Sequence, residues 1–493
     1  METTRSSGIL LHPTSLPGNY GIGSLGEEAR NFISYLAKSG QKLWQVLPMG
    51  HTGYGDSPYQ CFSIYAGNPI LIDLDTLKDE GLLKSEDLAH SHNFPKDKVD
   101  YGLVINFKHD LLKIAFMRFK SKPELHDDFH QFIEKNSHWL NDYALFVALK
   151  ENFKGQPWWD WPEEFMFRHD EAIETFITNS ADVIDFYKFC QYYFYKQWFA
   201  IKQFANSKDI SIVGDIPLYV AHDSADVWGN HKVFQFDENR QPQKVAGVPP
   251  DYFSETGQLW GNPLYDWDYM KNNGFKWWIN RVKVTLELYD IVRIDHFRGF
   301  EAYWAVPFGD ETAINGEWEK APGQELFKAI RNELGELPII AEDLGIITPE
   351  VEELRDGFGF PGMKILQFAF HSDEGSGYLP HNYERNFVVY TGTHDNDTLK
   401  GWYDTLEDPI KEKILDYTDC DDEHIIRKMI RLAWASVAKM AIIPMQDLLE
   451  LGSEGRMNIP GIASGNWQWR FTKDQLTTEK AEWLNQISKL YNR

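Results

Sequence analysis

Short apolar runs that end in polar residues recur along the chain. Most of these runs are nearly continuous rather than alternating, which is typical of parallel strands covered on both faces. Amphipathic stretches typical of helices lie beside several of them, at 24–40, 275–289, 323–335 and 348–359. Strand–helix alternation of this kind predicts an α/β fold, a (β/α)8 or TIM barrel. The eight predicted strands are 8–13, 43–49, 210–217, 289–297, 337–345, 363–370, 387–397 and 441–448.

The uneven spacing of these strands predicts insertions in the barrel. A bare barrel needs about 250 residues, and this chain has 493. The long stretch between the second and third strands is rich in Trp, Tyr, Phe and charge, so we expect an inserted, mainly helical subdomain over 50–205 and a smaller insertion over 220–274. No Pro/Gly/Ser linker interrupts the chain, which predicts one composite catalytic domain over 1–493.

The charge balance narrows the classes of partner. The chain has 49 Lys and Arg against 74 Asp and Glu, a formal net charge of −25. Such a surface repels phosphate backbones and anionic lipids, which disfavours nucleic acid and membrane partners. It is compatible with a neutral small molecule.

The cysteines and the amino terminus bear on the compartment. Cys61, Cys190 and Cys420 are odd in number and far apart, so neither a disulfide framework nor a close-spaced metal motif is indicated. There is no secretory signal pattern and no apolar run of the roughly 20 residues that a membrane helix needs. We therefore expect a cytoplasmic protein.

Acidic residues at the predicted strand ends are the candidates for catalysis, because barrel enzymes react at the carboxyl ends of their strands. Arg293 and Asp295 are two apart and face the same side of a strand. The guanidinium favours an ionised Asp295, as a nucleophile requires. In a partly apolar niche, Glu342 would have a raised pKa and could donate a proton. An Asp nucleophile with a Glu acid/base is the apparatus of retaining glycoside chemistry, with carboxyls about 5–5.5 Å apart.

A third strand end adds Asp395, which could accept hydrogen bonds from sugar hydroxyls, and His394, which could donate one. Taken singly, an acid at a strand end is more often a helix cap or an ion-pair partner than a catalyst. Three such acids at the ends of the fourth, fifth and seventh predicted strands together favour catalysis. For both His12 and His296, a structural role and a contact with sugar are equally favoured.

Several long motifs resemble the amylomaltases, the 4-α-glucanotransferases or disproportionating enzymes. They are "RIDHFRGF", "IIAEDLGIITPEV", "TGTHDNDT" and "RMNIPGIASGNWQWR", and the similarity runs from about residue 6 to 471. This resemblance implies an enzyme that cleaves an α-1,4-glucan and passes the glucosyl chain to glucose, maltose or another glucan. It implies neither a metal nor an organic cofactor.

The resemblance also implies roles for individual residues. Asp295 would be the nucleophile, Glu342 the acid/base and Asp395 the transition-state stabiliser. The implied substrate-binding residues are Arg293, His394, Asp215 in "GDIP", Ser57 and Tyr59 in "SPYQ", Tyr54 in a more distant glucan groove, and Asp251, Phe253 and Trp260 in or near a mobile loop over the active site.

Two other functions stay open. An α-glucan hydrolase could use the same acids and differ only in what attacks the covalent intermediate. A catalytically inactive glucan-binding scaffold is the alternative from another class, and the intact Asp295, Glu342 and Asp395 weigh against it. The chain departs from the family pattern at Glu317, Ala321, Ile459 and Ile462, none of which is one of the three acids.

Overall fold

The computed structural model describes residues 5–89, 93–250 and 254–493. Within these ranges there are twelve strands and eighteen α-helices. The strands are β1 Ser6–Leu10, β2 Leu43–Gln45, β3 Ser211–Ile216, β4 Lys244–Val248, β5 Gln258–Pro263, β6 Ile291–Ile294, β7 Ala302–Pro307, β8 Glu317–Lys320, β9 Ile339–Ala341, β10 Gly362–Ile365, β11 Phe387–Tyr390 and β12 Met440–Pro444.

The helices lie between and outside the strands. They are α1 Glu27–Lys38, α2 Leu74–Asp79, α3 Ser85–Leu88, α4 Tyr101–Phe119, α5 His126–Asn152, α6 Glu163–Met166, α7 Asp170–Asn179, α8 Ala181–Asn206, α9 Ala225–Gly229, α10 Trp267–Asn272, α11 Lys276–Leu288, α12 Gly323–Leu334, α13 Pro349–Gly357, α14 Leu399–Asp404, α15 Asp408–Thr418, α16 Ile425–Ala435, α17 Met445–Leu448 and α18 Thr478–Leu490. None of these described helices is long and apolar enough to cross a bilayer.

Eight parallel strands form the central barrel, in the order β10-β11-β12-β1-β2-β3-β6-β9. The two ends of this order meet where the Ala341 N–H donates to the Pro361 carbonyl at 2.9 Å. The (β/α)8 barrel predicted from the sequence is therefore confirmed, and each of the eight predicted runs contains or overlaps one barrel strand.

Most residues of the barrel strands are apolar because both faces of the strands are covered. Every residue of β11 and β12 is buried. Helix α1 shows how the outer layer is built: Phe32, Ile33 and Leu36 are fully buried on one face. Its first turn carries acids and its last turn Lys38, which complements the helix dipole.

Between β2 and β3 the chain forms helices α2 to α8, in the region where the sequence predicts a helical insertion. Its two longest helices, α5 and α8, pack together through aromatic rings. Trp139 stacks on Tyr195 with centroids 5.7 Å apart, and Phe129 meets Tyr192 edge-on at the same distance. The high aromatic content of this stretch is thus used for packing between helices.

A second sheet, not predicted from the sequence, lies beside the barrel. It has four antiparallel strands in the order β5-β4-β7-β8. Strands β4 and β5 follow β3 in the chain, whereas β7 and β8 follow β6. The register pairs Gly247 with Trp304, so two separate excursions from the barrel form one sheet.

Candidate active site

The candidate residues lie at the carboxyl ends of the barrel strands. Asp215 is in β3 and Arg293 in β6, and the two are directly opposite in the strand register. Asp295 comes immediately after β6, and Glu342 immediately after β9. Because these strands are neighbours in the barrel, their side chains meet at one mouth.

Arg293 bridges two carboxylates. Its Nη1 donates to Asp215 Oδ2 at 2.6 Å, and its Nη2 donates to Asp295 Oδ1 at 2.8 Å. The Asp215 side chain is fully buried, whereas the Asp295 side chain is 30% exposed. Burial raises the pKa of Asp215, although the charge of Arg293 opposes that rise. The bridge fixes Asp295 with one oxygen bound and leaves the carboxylate reachable from the mouth.

Glu342 is held by backbone N–H groups. His296 donates to its Oε2 at 2.6 Å, and Leu344 donates to its Oε1 at 3.2 Å. Burial, reinforced by the negative charge of Asp295, raises the pKa of Glu342 to about 8. The environments of these neighbouring acids separate their roles. Asp295 forms an ion pair with a guanidinium, whereas Glu342 retains its proton near neutral pH.

The backbone after Asp295 has an uncommon conformation. His296 is left-handed, with φ 49° and ψ 49°, and it leads into the 3-10 turn Phe297–Phe300. This conformation is unfavourable for a residue with a Cβ. It places the His296 N–H on Glu342, and the imidazole lies edge-on to Trp260 with centroids 4.8 Å apart. Burial lowers the pKa of His296 to about 4, so the ring is neutral.

Asp395 lies on the loop after β11. Its Oδ1 accepts a hydrogen bond from Asn458 Nδ2 at 2.6 Å and lies 3.4 Å from His394 Nε2. The side chain is 46% exposed, and its second oxygen accepts no hydrogen bond from the residues that the structure describes, so it can meet a ligand from the mouth. Arg456 donates to the backbone carbonyl of Asp395 at 2.8 Å. Side chains following β12 thus position this carboxylate.

Tyr59 connects the two groups of acids. Its hydroxyl donates to Asp215 Oδ2 at 2.8 Å, and its ring stacks on His394 with centroids 5.2 Å apart. Trp467 packs against both rings. Ser57 supports Tyr59: its Oγ accepts the N–H of Tyr59 at 3.3 Å.

Some predicted site residues cannot be placed in this cluster. Asp251 and Phe253 lie outside the described residues. The backbone of Tyr54 begins the turn Tyr54–Asp56, but its side chain is likewise not described. His12 is buried, and burial next to His394 lowers the pKa of His12 to about 3, which fits a structural rather than a titrating histidine.

No role was predicted for Asn458, Arg456 or Trp467. Asn458 and Arg456 hold Asp395, and Trp467 packs against Tyr59 and His394. All three belong to the motif "RMNIPGIASGNWQWR", so the available signal was a run of polar and aromatic residues soon after the eighth strand. In the same segment, Ile459 and Ile462 are 45% and 53% exposed. No group of three or more His, Cys, Asp or Glu side chains in the described ranges is arranged to hold a metal ion.

Comparison with known proteins identifies a family for this arrangement. The family profile described as 4-alpha-glucanotransferase matches residues 11–477. A 4-alpha-glucanotransferase of Synechocystis sp. is 51% identical over 499 residues, which cover 100% of this chain and 99% of that protein. One from Thermus thermophilus is 50% identical and is covered over 100% of both chains.

A solved structure agrees with these sequence relatives. The amylomaltase from Streptococcus agalactiae in complex with acarbose superposes with a TM-score of 0.97 at 42% identity, covering 99% of each chain.

Proposed function

The chain belongs to the 4-alpha-glucanotransferase family, and from this membership we propose that it transfers α-1,4-glucan segments to glucose or another glucan by double displacement through a covalent glycosyl-Asp295 intermediate. The single observation that carries the mechanism is the pairing of an Arg293-bound Asp295 with Glu342, whose pKa is raised to about 8. This pairing supplies an anionic attacker and a protonated donor beside each other.

In the first half-reaction, an Asp295 carboxylate oxygen attacks the anomeric carbon of the bound glucan. The bond from that carbon to the glycosidic oxygen breaks, and the oxygen takes the proton of Glu342. The leaving chain departs as an alcohol, and the retained chain is an ester of Asp295. Arg293 orients Asp295 before the attack through its hydrogen bond to Oδ1.

In the second half-reaction, the 4-hydroxyl of an acceptor sugar attacks the anomeric carbon. Glu342, now ionised, takes the hydroxyl proton, and the ester bond to Asp295 breaks. Two inversions give net retention of the α configuration. Glu342 regains its proton in this step and is ready for the next cycle.

The surrounding side chains bind the sugar. Asp395, with one oxygen held by Asn458, accepts hydrogen bonds from the hydroxyls of the ring under attack. Tyr59, stacked on His394, offers a flat face to the same ring. Asp215 and Ser57 hold Tyr59 through hydrogen bonds, and Trp260 packs on His296. Roles for Tyr54, Asp251 and Phe253 in binding the glucan stay predictions. The single composite domain, the cytoplasmic location and the lack of a cofactor stay predictions.

The mechanism is tested by trapping the intermediate. The Glu342→Gln variant is given α-maltosyl fluoride, whose fluoride leaving group needs no proton. The ester with Asp295 therefore forms, but attack by an acceptor lacks its general base. We expect a stable mass increase of one maltosyl unit, mapped by proteolysis and mass spectrometry to Asp295. A label on another residue, or none on a folded variant, would contradict the mechanism.

Transfer and hydrolysis are separated by the products from maltotriose. A transferase gives glucose together with oligomers longer than the substrate, whereas a hydrolase gives glucose and maltose alone. The scaffold alternative predicts neither, and it also predicts that Asp295→Asn behaves as the unaltered protein does.

A further inference from the structure

A cleft lies next to the proposed active site and is not used by the mechanism above. Its volume is about 270 Å³, near the lower end of the range for small-ligand pockets, about 300 Å³. It separates the loop around Gln60 from β5 and from the segment after β3. Its walls are formed by Gly53, Gln60, Phe62, Trp159, Ala221, His222, Asp223, Trp260, Gly261 and Asn262.

One wall is a rigid aromatic platform. Trp159 stacks on His222 with centroids 4.2 Å apart and planes 18° apart, and His222 stacks in turn on Phe236 at 5.7 Å. The Trp158 indole N–H donates to the His222 carbonyl at 2.8 Å, and this bond holds the backbone of His222 in place. Trp159 itself is only half-buried. A half-exposed indole with one face covered offers its remaining surface to a ligand without having to reorganise.

The polar groups of the cleft suit a neutral ligand. The side-chain amide of Gln60 has no hydrogen-bond partner among the residues that the structure describes, and it can both donate and accept. Asn262 uses its Nδ2 on the Val220 carbonyl at 2.8 Å. The charge of Asp223 is paired with Lys150 at 2.5 Å. An indole wall with an unengaged amide and no free charge matches the apolar faces and hydroxyl rims of a glucose ring.

The cleft is joined to the proposed active site through Trp260. This indole lines the cleft and also lies against the ring of His296, whose backbone N–H binds Glu342. Glu342 is the group proposed to protonate the leaving chain and to deprotonate the acceptor. A cleft that adjoins the acid/base in this way is expected to serve the leaving and acceptor side of the cleaved bond.

We propose that this cleft is an acceptor-side subsite, in which Trp159 stacks on a glucosyl unit one or more positions beyond the sugar that is joined to the donor. The inference rests on the proposed function, because it presumes an α-1,4-glucan acceptor. Its consequence is a preference for acceptors long enough to reach the cleft, such as maltotriose, over glucose.

The experiment varies the acceptor while the donor is fixed. With α-maltosyl fluoride as donor, the rate of transfer is measured against the concentration of glucose, maltose or maltotriose. For Trp159→Ala we expect the KM for maltotriose to rise about tenfold, equivalent to about 1.4 kcal/mol, while the KM for glucose is unchanged. Trp159→Phe, which keeps a flat ring, restores most of the preference.

Two further variants guard against trivial outcomes. Gln60→Ala removes a side chain with no hydrogen bonds to the described part of the protein, so the variant should fold normally. It should still raise the KM for maltotriose more than the KM for glucose. Trp483→Ala removes a half-buried indole on α18, remote from the mouth, and should change neither KM.

The outcomes separate the two proposals. Suppose that the unaltered protein transfers to glucose. If the Trp159 and Gln60 variants then raise the KM for glucose and maltotriose equally, or change neither KM, the subsite is wrong and the proposed function stands. If the unaltered protein transfers to no acceptor, the proposed function fails and the subsite fails with it.

Discussion

The backbone N–H of His296 donates a 2.6 Å hydrogen bond to the carboxylate of Glu342. The residue directly after the proposed nucleophile thus holds the proposed acid/base. A backbone group adjoining one acid therefore orients the other, while the Arg293 side chain orients Asp295. This relationship makes the protonation of Glu342 the first property to test.

Glu342 must carry a proton in the first half-reaction, and its pKa is raised to about 8. We expect kcat/KM for maltotriose to fall as the pH rises through about 8, because the ionised form cannot protonate the leaving chain. A pH profile of kcat/KM measures this. With α-maltosyl fluoride, which needs no acid, the release of fluoride should lose this basic limb; the same limb with both donors would assign it to another group.

The same shift predicts a pH-dependent stability. The pKa of Glu342 lies above its ordinary value of 4.5, so the folded protein holds a proton that the unfolded chain releases. Stability is therefore lost as the pH rises from about 5 to about 8. Glu342→Gln cannot ionise and should gain about 2–4 kcal/mol relative to the unaltered protein over that interval. Chemical denaturation at both ends measures the gain, and an equal difference at both pH values would refute it.

Arg293 should not be replaceable by lysine. Lysine is a point charge and cannot donate in parallel to Asp215 and Asp295 as the planar guanidinium does. We expect Arg293→Lys to lower kcat/KM about 100-fold, since a small displacement of a reacting group costs that much. The matched control is Arg118→Lys, which alters a two-point pair with Asp87 far from the mouth and should leave kcat/KM unchanged.

Asp447 is a positioning residue for the loop that carries Asp395. Its buried carboxylate accepts the Thr391 hydroxyl at 2.5 Å and the Leu399 N–H at 2.7 Å, at the two ends of that loop. Asp447→Ala leaves both donors unsatisfied and should cost about 1–3 kcal/mol for each. Thermal unfolding measures that cost, and kcat/KM measures the effect on Asp395.

Asp447→Asn separates structure from charge. The amide can still accept from Leu399 and donate to Thr391, so both stability and kcat/KM should recover. If the alanine variant is destabilised but retains full kcat/KM, the loop does not depend on this contact.

Trp260 covers His296 beside the proposed acceptor position, so its removal should admit water. We expect Trp260→Ala to raise the share of hydrolysis relative to transfer, because water then competes better for the ester. This share is measured as the amount of new reducing ends divided by the amount of maltotriose converted to other oligomers. Trp318→Ala, in the same small sheet but 40% exposed, is the control and should leave the share unchanged.

The barrel could be predicted because its signal is local. Strands β11 and β12, for example, are buried on both faces and apolar throughout, and polar residues follow each of them. The chemistry followed from the same pattern, since Asp295 and Glu342 come directly after barrel strands and Asp395 lies in the loop that follows one.

The small sheet could not be predicted, because its signal is not local. Strand β8, "EWEK", is largely exposed and charged, and it becomes a strand only by pairing with β7. Strand β4 finds its partner β7 more than fifty residues later, across β6 and α11. Pairings between distant short segments leave no periodicity to read in either segment. The left-handed His296 and the hydrogen bond from Asn458 to Asp395 likewise arise only once the loops are assembled.

The shared sheet also constrains how this enzyme can be re-engineered. Exchanging only the excursion after β3 with that of a homologue would leave β7 without its matched neighbour, and exchanging only the one after β6 would strip β4. Chimeras of these loops should therefore fold only when both excursions are exchanged together.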